Sequence, residues 1–134
     1  PIRLAHITKT TEEMVAWLQA HPMVEKVIFP FDPSFPQYEL AKRQMKGACG
    51  LLTFILKADS AAAVEQFCNS LQAIRMAVSW GGHESLILPR MAGIKRENFD
   101  ASHPEHRMMR LYIGQESAAF LQADLQQAFD RMAG

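Results

Sequence analysis

The feature that most constrains the fold is a run of six residues from Leu51 to Leu56, in which only Thr53 is polar. A short, nearly continuous apolar run of this kind is typical of a buried β-strand. Directly after it, Asp59 or Ser60 can cap a helix. Apolar residues at helical spacing then continue that helix to about Leu71. The chain therefore carries a buried strand followed at once by an amphipathic helix.

The same periodicities predict the other elements. A helix is expected from Arg3 to Ala20, where His21-Pro22 ends it, and a capping pattern of Thr10 with Glu13 predicts that this helix restarts at Thr10. The closing helix has Phe120, Leu121, Leu125 and Phe129 as its apolar residues. The remaining expected elements are strands at Val24–Phe29, Ile74–Ser79, Ser85–Leu88 and Met108–Ile113 and helices at Tyr38–Met45 and Ala118–Met132.

This order of elements predicts an α+β fold, because several strands follow one another near the end of the chain and are expected to pair antiparallel. We expect a two-layer sandwich, with helices on one face of a mainly antiparallel sheet of about four or five strands. The 134 residues make one domain, residues 1–134.

Composition excludes several functions. The formal net charge is zero, so a nucleic-acid surface, which needs a basic excess, is not expected. No stretch is apolar for the length of a membrane span, and no secretory signal is visible. Cys49 and Cys68 are expected to be reduced, mostly buried thiols of a cytoplasmic protein. No metal site is expected, because neither cysteine lies in a CxxC pair and the histidines lack metal-ligand spacing.

Three segments stand out because local structure does not require them. They are Ser79–Leu86 (SWGGHESL), Arg110–Gly114 (RLYIG) and Leu40–Met45 (LAKRQM), the last followed by Gly47 and Gly50. In the second segment, strand alternation puts Met109, Leu111 and Ile113 on one side. Arg110 lies on the other side and is expected to point away from the core.

These segments, with Trp17-Leu18 and His21-Pro22 before them, resemble in order the C-terminal domain of the Cys/Met-metabolism family of pyridoxal-phosphate enzymes. The family includes cystathionine β-lyase, cystathionine γ-synthase, cystathionine γ-lyase and methionine γ-lyase, and the resemblance covers essentially the whole chain. It implies the small C-terminal domain of the aspartate-aminotransferase-like, fold type I, pyridoxal-phosphate enzymes.

The resemblance also implies roles for individual residues. Arg110 would bind the α-carboxylate of the substrate, and Ser79 with the backbone N–H of Trp80 would lie beside that carboxylate. Gly81 and Gly82 would let the backbone turn with positive φ and approach the ligand. Glu84 and Ser85 would hold the turn through local hydrogen bonds, and Val78 would shape the substrate pocket. None of these residues is catalytic or binds the cofactor.

The family's cofactor, pyridoxal phosphate, would be bound by a large N-terminal domain that this chain lacks. No lysine of the chain lies in a block that resembles the Schiff-base motif, and the chain opens at Pro1 like an excised or truncated piece. The isolated piece is therefore expected to be inactive. The expected partners are a sulfur amino acid substrate and the missing domain, in an enzyme that is a homotetramer at full length.

Two positions bear on the reaction. With Trp80, the segment Ser79–Gly82 resembles the S-W-G-G of β-lyases. In γ-acting members a glutamate at the position of Val78 contacts the distal amine of the substrate, and valine cannot make that contact. A cystathionine β-lyase-like C–S lyase, which releases a thiol, pyruvate and ammonia, is therefore expected. Because β-lyases usually carry an aromatic residue at the position of Val78, the thioether substrate stays open. A γ-synthase, γ-lyase or methionine γ-lyase is the alternative, and a non-catalytic small-molecule-binding or structural module is the alternative of another class.

Overall fold

A computed structural model describes residues 2–133 of the chain. It has four α-helices, α1 (Ile2–Ala20), α2 (Tyr38–Gln44), α3 (Ala61–Ser70) and α4 (Ala118–Ala133). Five strands accompany them, β1 (Val24–Ile28), β2 (Leu51–Leu56), β3 (Arg75–Met76), β4 (Leu86–Pro89) and β5 (Met108–Tyr112). The α+β class and the five-stranded sheet expected from the sequence are confirmed.

The strands form one sheet in the order β1-β2-β5-β4-β3, so that β5 lies in the middle. Its pairs with β2 and β4 are antiparallel. The expectation of antiparallel pairing among the last strands is wrong for β3 and β4, which run parallel. The structure therefore has a mainly antiparallel sheet with one parallel edge strand.

Strand β3 covers only Arg75–Met76, so the expected strand Ile74–Ser79 is much too long. Just before this strand, the carboxylate of Asp124 in α4 accepts the backbone N–H groups of Gln72, Ala73 and Ile74. These donors are therefore satisfied by a helix side chain and not by a neighbouring strand.

Helices α1, α3 and α4 pack around an aromatic cluster on one face of the sheet. The ring of Phe54 in β2 lies 6.2 Å from Phe67 in α3 and 6.4 Å from Phe129 in α4. From β5, Met109 and Leu111 contribute to this core and are fully buried. Arg110, between them in sequence, must point to the opposite face of the sheet. That face is the one on which the candidate site lies.

Several local predictions are tested by the helix ends. Ser60 caps α3 as expected, its Oγ accepting the N–H of Ala63 at 3.2 Å. Helix α1 ends at Ala20 as expected, but it does not restart at Thr10, because the helix is continuous there. The hydroxyl of the neighbouring Thr11 donates to the Ile7 carbonyl one turn earlier, at 2.7 Å.

Burial differs from what residue type alone suggests at two positions, and the prediction that both thiols are mostly buried is wrong for Cys49. Phe120, one of the apolar residues of the closing helix, is 53% exposed, whereas Leu121 and Leu125 are buried. Cys49 is exposed, and only Cys68 is buried; both thiols are free. Within residues 2–133, none of the helices combines the length and the hydropathy that crossing a bilayer requires.

Candidate functional site

Arg110 lies in the central strand β5, with Thr53 of β2 and Leu88 of β4 as its neighbours across the sheet. Its side chain is half-buried on the face opposite the Phe54, Phe67 and Phe129 cluster. The Nη2 group donates to the backbone carbonyl of Val78. Among residues 2–133, no carboxylate forms an ion pair with Arg110. The guanidinium therefore keeps its charge uncompensated and has donors left for a ligand.

The hydrogen bond to Val78 places Arg110 directly beside Ser79, the next residue in the chain. Val78 is 74% exposed and Trp80 is 58% exposed, and Ser79 lies between them on the surface. The three residues proposed to bind a carboxylate, Arg110, Ser79 and Trp80, are thus brought to one place from segments about thirty residues apart. Trp80 is not a core residue, and its indole is exposed on the surface of the domain.

Gly81 follows with φ of +87°, in the left-handed region that disfavours side chains. Gly82 has no positive φ, so Gly81 is the member of this pair that uses the conformational freedom of glycine. The carbonyl of Gly82 accepts a hydrogen bond from the Tyr112 hydroxyl at 2.9 Å. The turn is therefore bent at Gly81 and anchored at Gly82.

Ser85 is 1% exposed and links the end of the turn to the chain that leaves β5. Its backbone N–H and its hydroxyl donate to the Glu116 carboxylate at 2.9 and 2.7 Å. Its Oγ accepts the N–H of Gly114 at 2.8 Å. Glu84 is exposed, and its carboxylate makes no hydrogen bond within residues 2–133. The acid that holds this turn is thus Glu116.

A cavity of about 450 Å³ lies between the first turns of α1 and the Gly81–Gly82 turn. Trp80 and Tyr112 line it, together with Leu4 and Cys49. Burial raises the pKa of the Tyr112 phenol, and the nearby Cys49 and Glu116 raise it further. The phenol therefore stays protonated at neutral pH and remains a hydrogen-bond donor to the turn.

His83 also lines this cavity, whereas the other four histidines are not part of its lining. His6 lies within 3.0 Å of the Gln115 carbonyl, and His103 stacks on His106 with 5.4 Å between ring centroids. His21 is buried at the end of α1 and stacks on Phe129 at 4.0 Å. Within residues 2–133, no three His, Cys, Asp or Glu side chains are grouped so that they can hold a metal ion.

Comparison with known proteins identifies the family. The family model described as Cys/Met metabolism PLP-dependent enzyme matches residues 1–130. This chain belongs to that family. The membership agrees with the blocks around Ser79 and Arg110, which the structure brings together in one site.

Named relatives of this family member differ in their reactions. An L-methionine gamma-lyase of Pseudomonas deceptionensis is 39% identical over 98% of the chain and 34% of its own length. A Rhizobium johnstonii protein provisionally named a cystathionine beta-lyase is 34% identical over 96% of the chain and 33% of its own length. The chain thus spans about a third of the length of the curated relatives it matches.

A solved structure supports the fold of this family member. It belongs to work on sulfur transfer by an O-acetylhomoserine sulfhydrylase of Wolinella succinogenes. The match has a TM-score of 0.79 and 32% identity, and it covers 96% of this chain and 34% of that one. The fold class expected from the family resemblance is confirmed.

The family's description names pyridoxal phosphate, which enzymes of this kind hold through a lysine. Arg3 lines the cavity beside Trp80, but no lysine does. The residues that line this cavity therefore do not fit the cofactor on their own. The site region offers instead the uncompensated guanidinium of Arg110 beside exposed backbone, which suits a carboxylate.

Two residues of the site region, and one residue that holds the segment before β3, were missed by reasoning from the sequence. Glu116 forms hydrogen bonds with a residue 31 positions away, and Tyr112 with a residue 30 positions away. Asp124 forms hydrogen bonds with residues 50 to 52 positions away. Local patterns report only neighbours within a few residues. No local signal in the sequence identifies these partners.

Proposed function

We propose that this chain is the C-terminal domain of a pyridoxal-phosphate enzyme that acts on sulfur amino acids, and that it binds the substrate's α-carboxylate. The observation that carries the proposal is the state of Arg110. Its guanidinium is held beside Ser79 by the Val78 carbonyl, and no carboxylate of residues 2–133 neutralises it. The planar fork of arginine offers two parallel donors to a carboxylate, which makes it well suited to this ligand.

Ser79 and Trp80 complete the proposed site. The Ser79 hydroxyl makes no hydrogen bond within residues 2–133 and lies on the surface, so it is free to donate to a ligand. The N–H of Trp80 lies in the same exposed segment, just before the bend at Gly81. We assign both groups to the carboxylate that Arg110 binds, and we assign Val78 to the wall of the substrate pocket.

The reaction belongs to the whole enzyme in this proposal. Pyridoxal phosphate supplies an electron sink when it is bound, and the lysine that holds it would come from the N-terminal domain outside this chain. The isolated chain is therefore proposed to be inactive. The residues described above would bind the amino acid by its carboxylate, and this contact would hold it in a fixed orientation. The homotetramer proposed for the full-length enzyme rests on the family resemblance.

Among the family's reactions, we favour β-elimination at the Cβ–S bond of a thioether such as cystathionine, with release of a thiol, pyruvate and ammonia. Trp80 supports this, because it completes the S-W-G-G segment that resembles β-lyases. Val78 supports it too, since an apolar side chain cannot bind a distal amine. The second candidate is a γ-lyase, and it is favoured by the 39% identity to an L-methionine gamma-lyase.

The test uses the full-length enzyme that contains this chain. Replacing Arg110 by alanine is expected to lower kcat/KM by a factor that corresponds to about 2–5 kcal/mol, the usual cost of losing a charge-assisted partner. The control is Arg90→Ala, because Arg90 is an exposed arginine that pairs with Glu105. Unchanged kcat/KM in Arg110→Ala would show that the carboxylate is held elsewhere.

The products separate the two candidate reactions. With cystathionine as substrate, β-elimination gives pyruvate and γ-elimination gives 2-oxobutanoate, and the two are distinguished by chromatography of their hydrazones. Cystine and homocysteine derivatives then define the preferred thioether. If neither keto acid forms from any of these substrates, both lyase candidates are excluded, and a γ-synthase or a non-catalytic module explains the chain better.

A further inference from the structure

Two side chains of strand β5 hold the two ends of the exposed turn. Arg110 and Tyr112 are two positions apart and therefore lie on the same face of the strand. Arg110 donates to the carbonyl of Val78, and Tyr112 donates to the carbonyl of Gly82 at 2.9 Å. Ser79 and Trp80 lie between these two anchors and make no anchoring side-chain hydrogen bond within residues 2–133.

The Tyr112 anchor is rigidly built. The residue is 4% exposed, and its ring lies against Gly50 at the start of β2. A Cβ atom on Gly50 would lie 2.7 Å from Cε2 of Tyr112 and 2.5 Å from the Ile113 carbonyl oxygen. The absence of a side chain at Gly50 is thus what makes room for the ring. The phenol keeps its proton because burial raises its pKa, so the donor is present over the physiological range.

Arg110 belongs to the proposed binding site, whereas Tyr112 does not. One N–H of Arg110 donates to the Val78 carbonyl, and the other N–H groups of the guanidinium can bind a carboxylate. The Tyr112 hydroxyl donates to the backbone of the turn, so Tyr112 is the side chain that holds the turn independently of the ligand.

We propose that Tyr112 is a positioning residue, which keeps Ser79 and Trp80 in their binding geometry while Arg110 binds the substrate carboxylate. This inference rests on the proposed function of Arg110 and adds a residue to it. Tyr112 acts through the backbone of the turn and does not touch the substrate.

Tyr112→Phe tests the proposal, because it removes the hydroxyl and keeps the ring. In the full-length enzyme, KM for the amino acid substrate is expected to rise about tenfold, as for the loss of one hydrogen bond. The value of kcat is expected to stay within about twofold, since the turn binds the carboxylate in the ground state and the transition state alike. Tyr38→Phe is the matched control, because the Tyr38 ring packs under Lys42 at 4.5 Å in α2.

A second readout needs neither substrate nor cofactor. The chain has two tryptophans, so Trp17→Phe leaves Trp80 as its single indole. In this background, Tyr112→Phe is expected to lower the fluorescence anisotropy of Trp80 and to increase its quenching by acrylamide. Tyr38→Phe is expected to leave both unchanged, and melting curves of all variants show whether each is folded.

The outcomes separate this inference from the function on which it rests. If Arg110→Ala leaves kcat/KM unchanged, the proposed function fails, and the Tyr112 proposal fails with it. If Arg110→Ala is impaired but Tyr112→Phe has wild-type KM, the positioning role alone is overturned. A fall in kcat at constant KM, or unchanged Trp80 anisotropy, also overturns it.

Discussion

The hydroxyl of Ser85 offers a sharp test of how the site region is held together. Ser85 closes the SWGGHESL segment and is 1% exposed. Its Oγ–H donates to the Glu116 carboxylate at 2.7 Å, and its Oγ accepts the N–H of Gly114 at 2.8 Å. Ser85→Ala removes both hydrogen bonds and leaves the Gly114 N–H without a partner in a buried place.

The expected cost is the sum of two unfavourable changes. A hydrogen bond to a charged group contributes about 1.5–3 kcal/mol, and an orphaned buried donor costs about 1–3 kcal/mol. The hydrogen bond from the Ser85 backbone N–H to Glu116 remains in the variant, so we expect a loss of stability in the lower part of the summed range. The free energy of unfolding is expected to fall by about 3 kcal/mol, and for a domain of this size the melting temperature falls by about 10 °C.

The assay is equilibrium unfolding in urea, followed by far-ultraviolet circular dichroism. The slope against urea is expected to stay constant, so that the shift in midpoint reports stability. Ser79→Ala is the matched control, at the other end of the same segment. Ser79 is exposed and its hydroxyl has no partner within residues 2–133, so its replacement is expected to change stability by less than about 0.5 kcal/mol.

Two results would refute this reasoning. If Ser85→Ala is as stable as Ser79→Ala, the contacts with Glu116 and Gly114 contribute nothing net. If Glu116→Gln is fully stable while Ser85→Ala is not, the charge of the carboxylate is irrelevant. A double-mutant cycle between the two positions measures their coupling directly.

Two other predictions concern buried groups away from the turn. Burial raises the pKa of the Cys68 thiol to about 12, so at pH 8 only about one part in 10⁴ of this thiol is thiolate. A disulfide reagent is therefore expected to label one thiol per native chain. The variant Cys49→Ser removes the exposed thiol and is expected to abolish that labelling. Rapid labelling of the Cys49→Ser chain would contradict this burial. Asp124→Ala strips the acceptor from three backbone N–H groups and is expected to lower the free energy of unfolding by about 3–4 kcal/mol, whereas Asp130→Ala, at an exposed position of the same helix, changes it by less than about 0.5 kcal/mol. Equal urea midpoints for the two aspartate variants would rule out a structural role for Asp124.

The sequence alone identified the elements whose signals are local. The apolar run Leu51–Leu56 is a strand with the predicted bounds, and Ser60 caps the following helix. Both follow from patterns within a few residues, where the backbone's own periodicity decides what is buried. The ordered blocks around Ser79 and Arg110 likewise indicated the family, and strand alternation predicted that Arg110 turns away from the core. The proposed roles of the site residues remain predictions.

Tertiary structure alone decided the contacts between distant segments. Three examples join separate segments of the chain: β3 pairs parallel with β4, Asp124 accepts three backbone N–H groups, and Glu116 accepts hydrogen bonds from Ser85. Such contacts arise because every buried donor and acceptor must find a partner when the layers close, and which partner is available depends on the packing of the whole domain. Phe120 and Cys49 are exposed for the same reason. The residue type sets only a tendency to be buried, and the neighbours in the folded domain determine whether the side chain is covered.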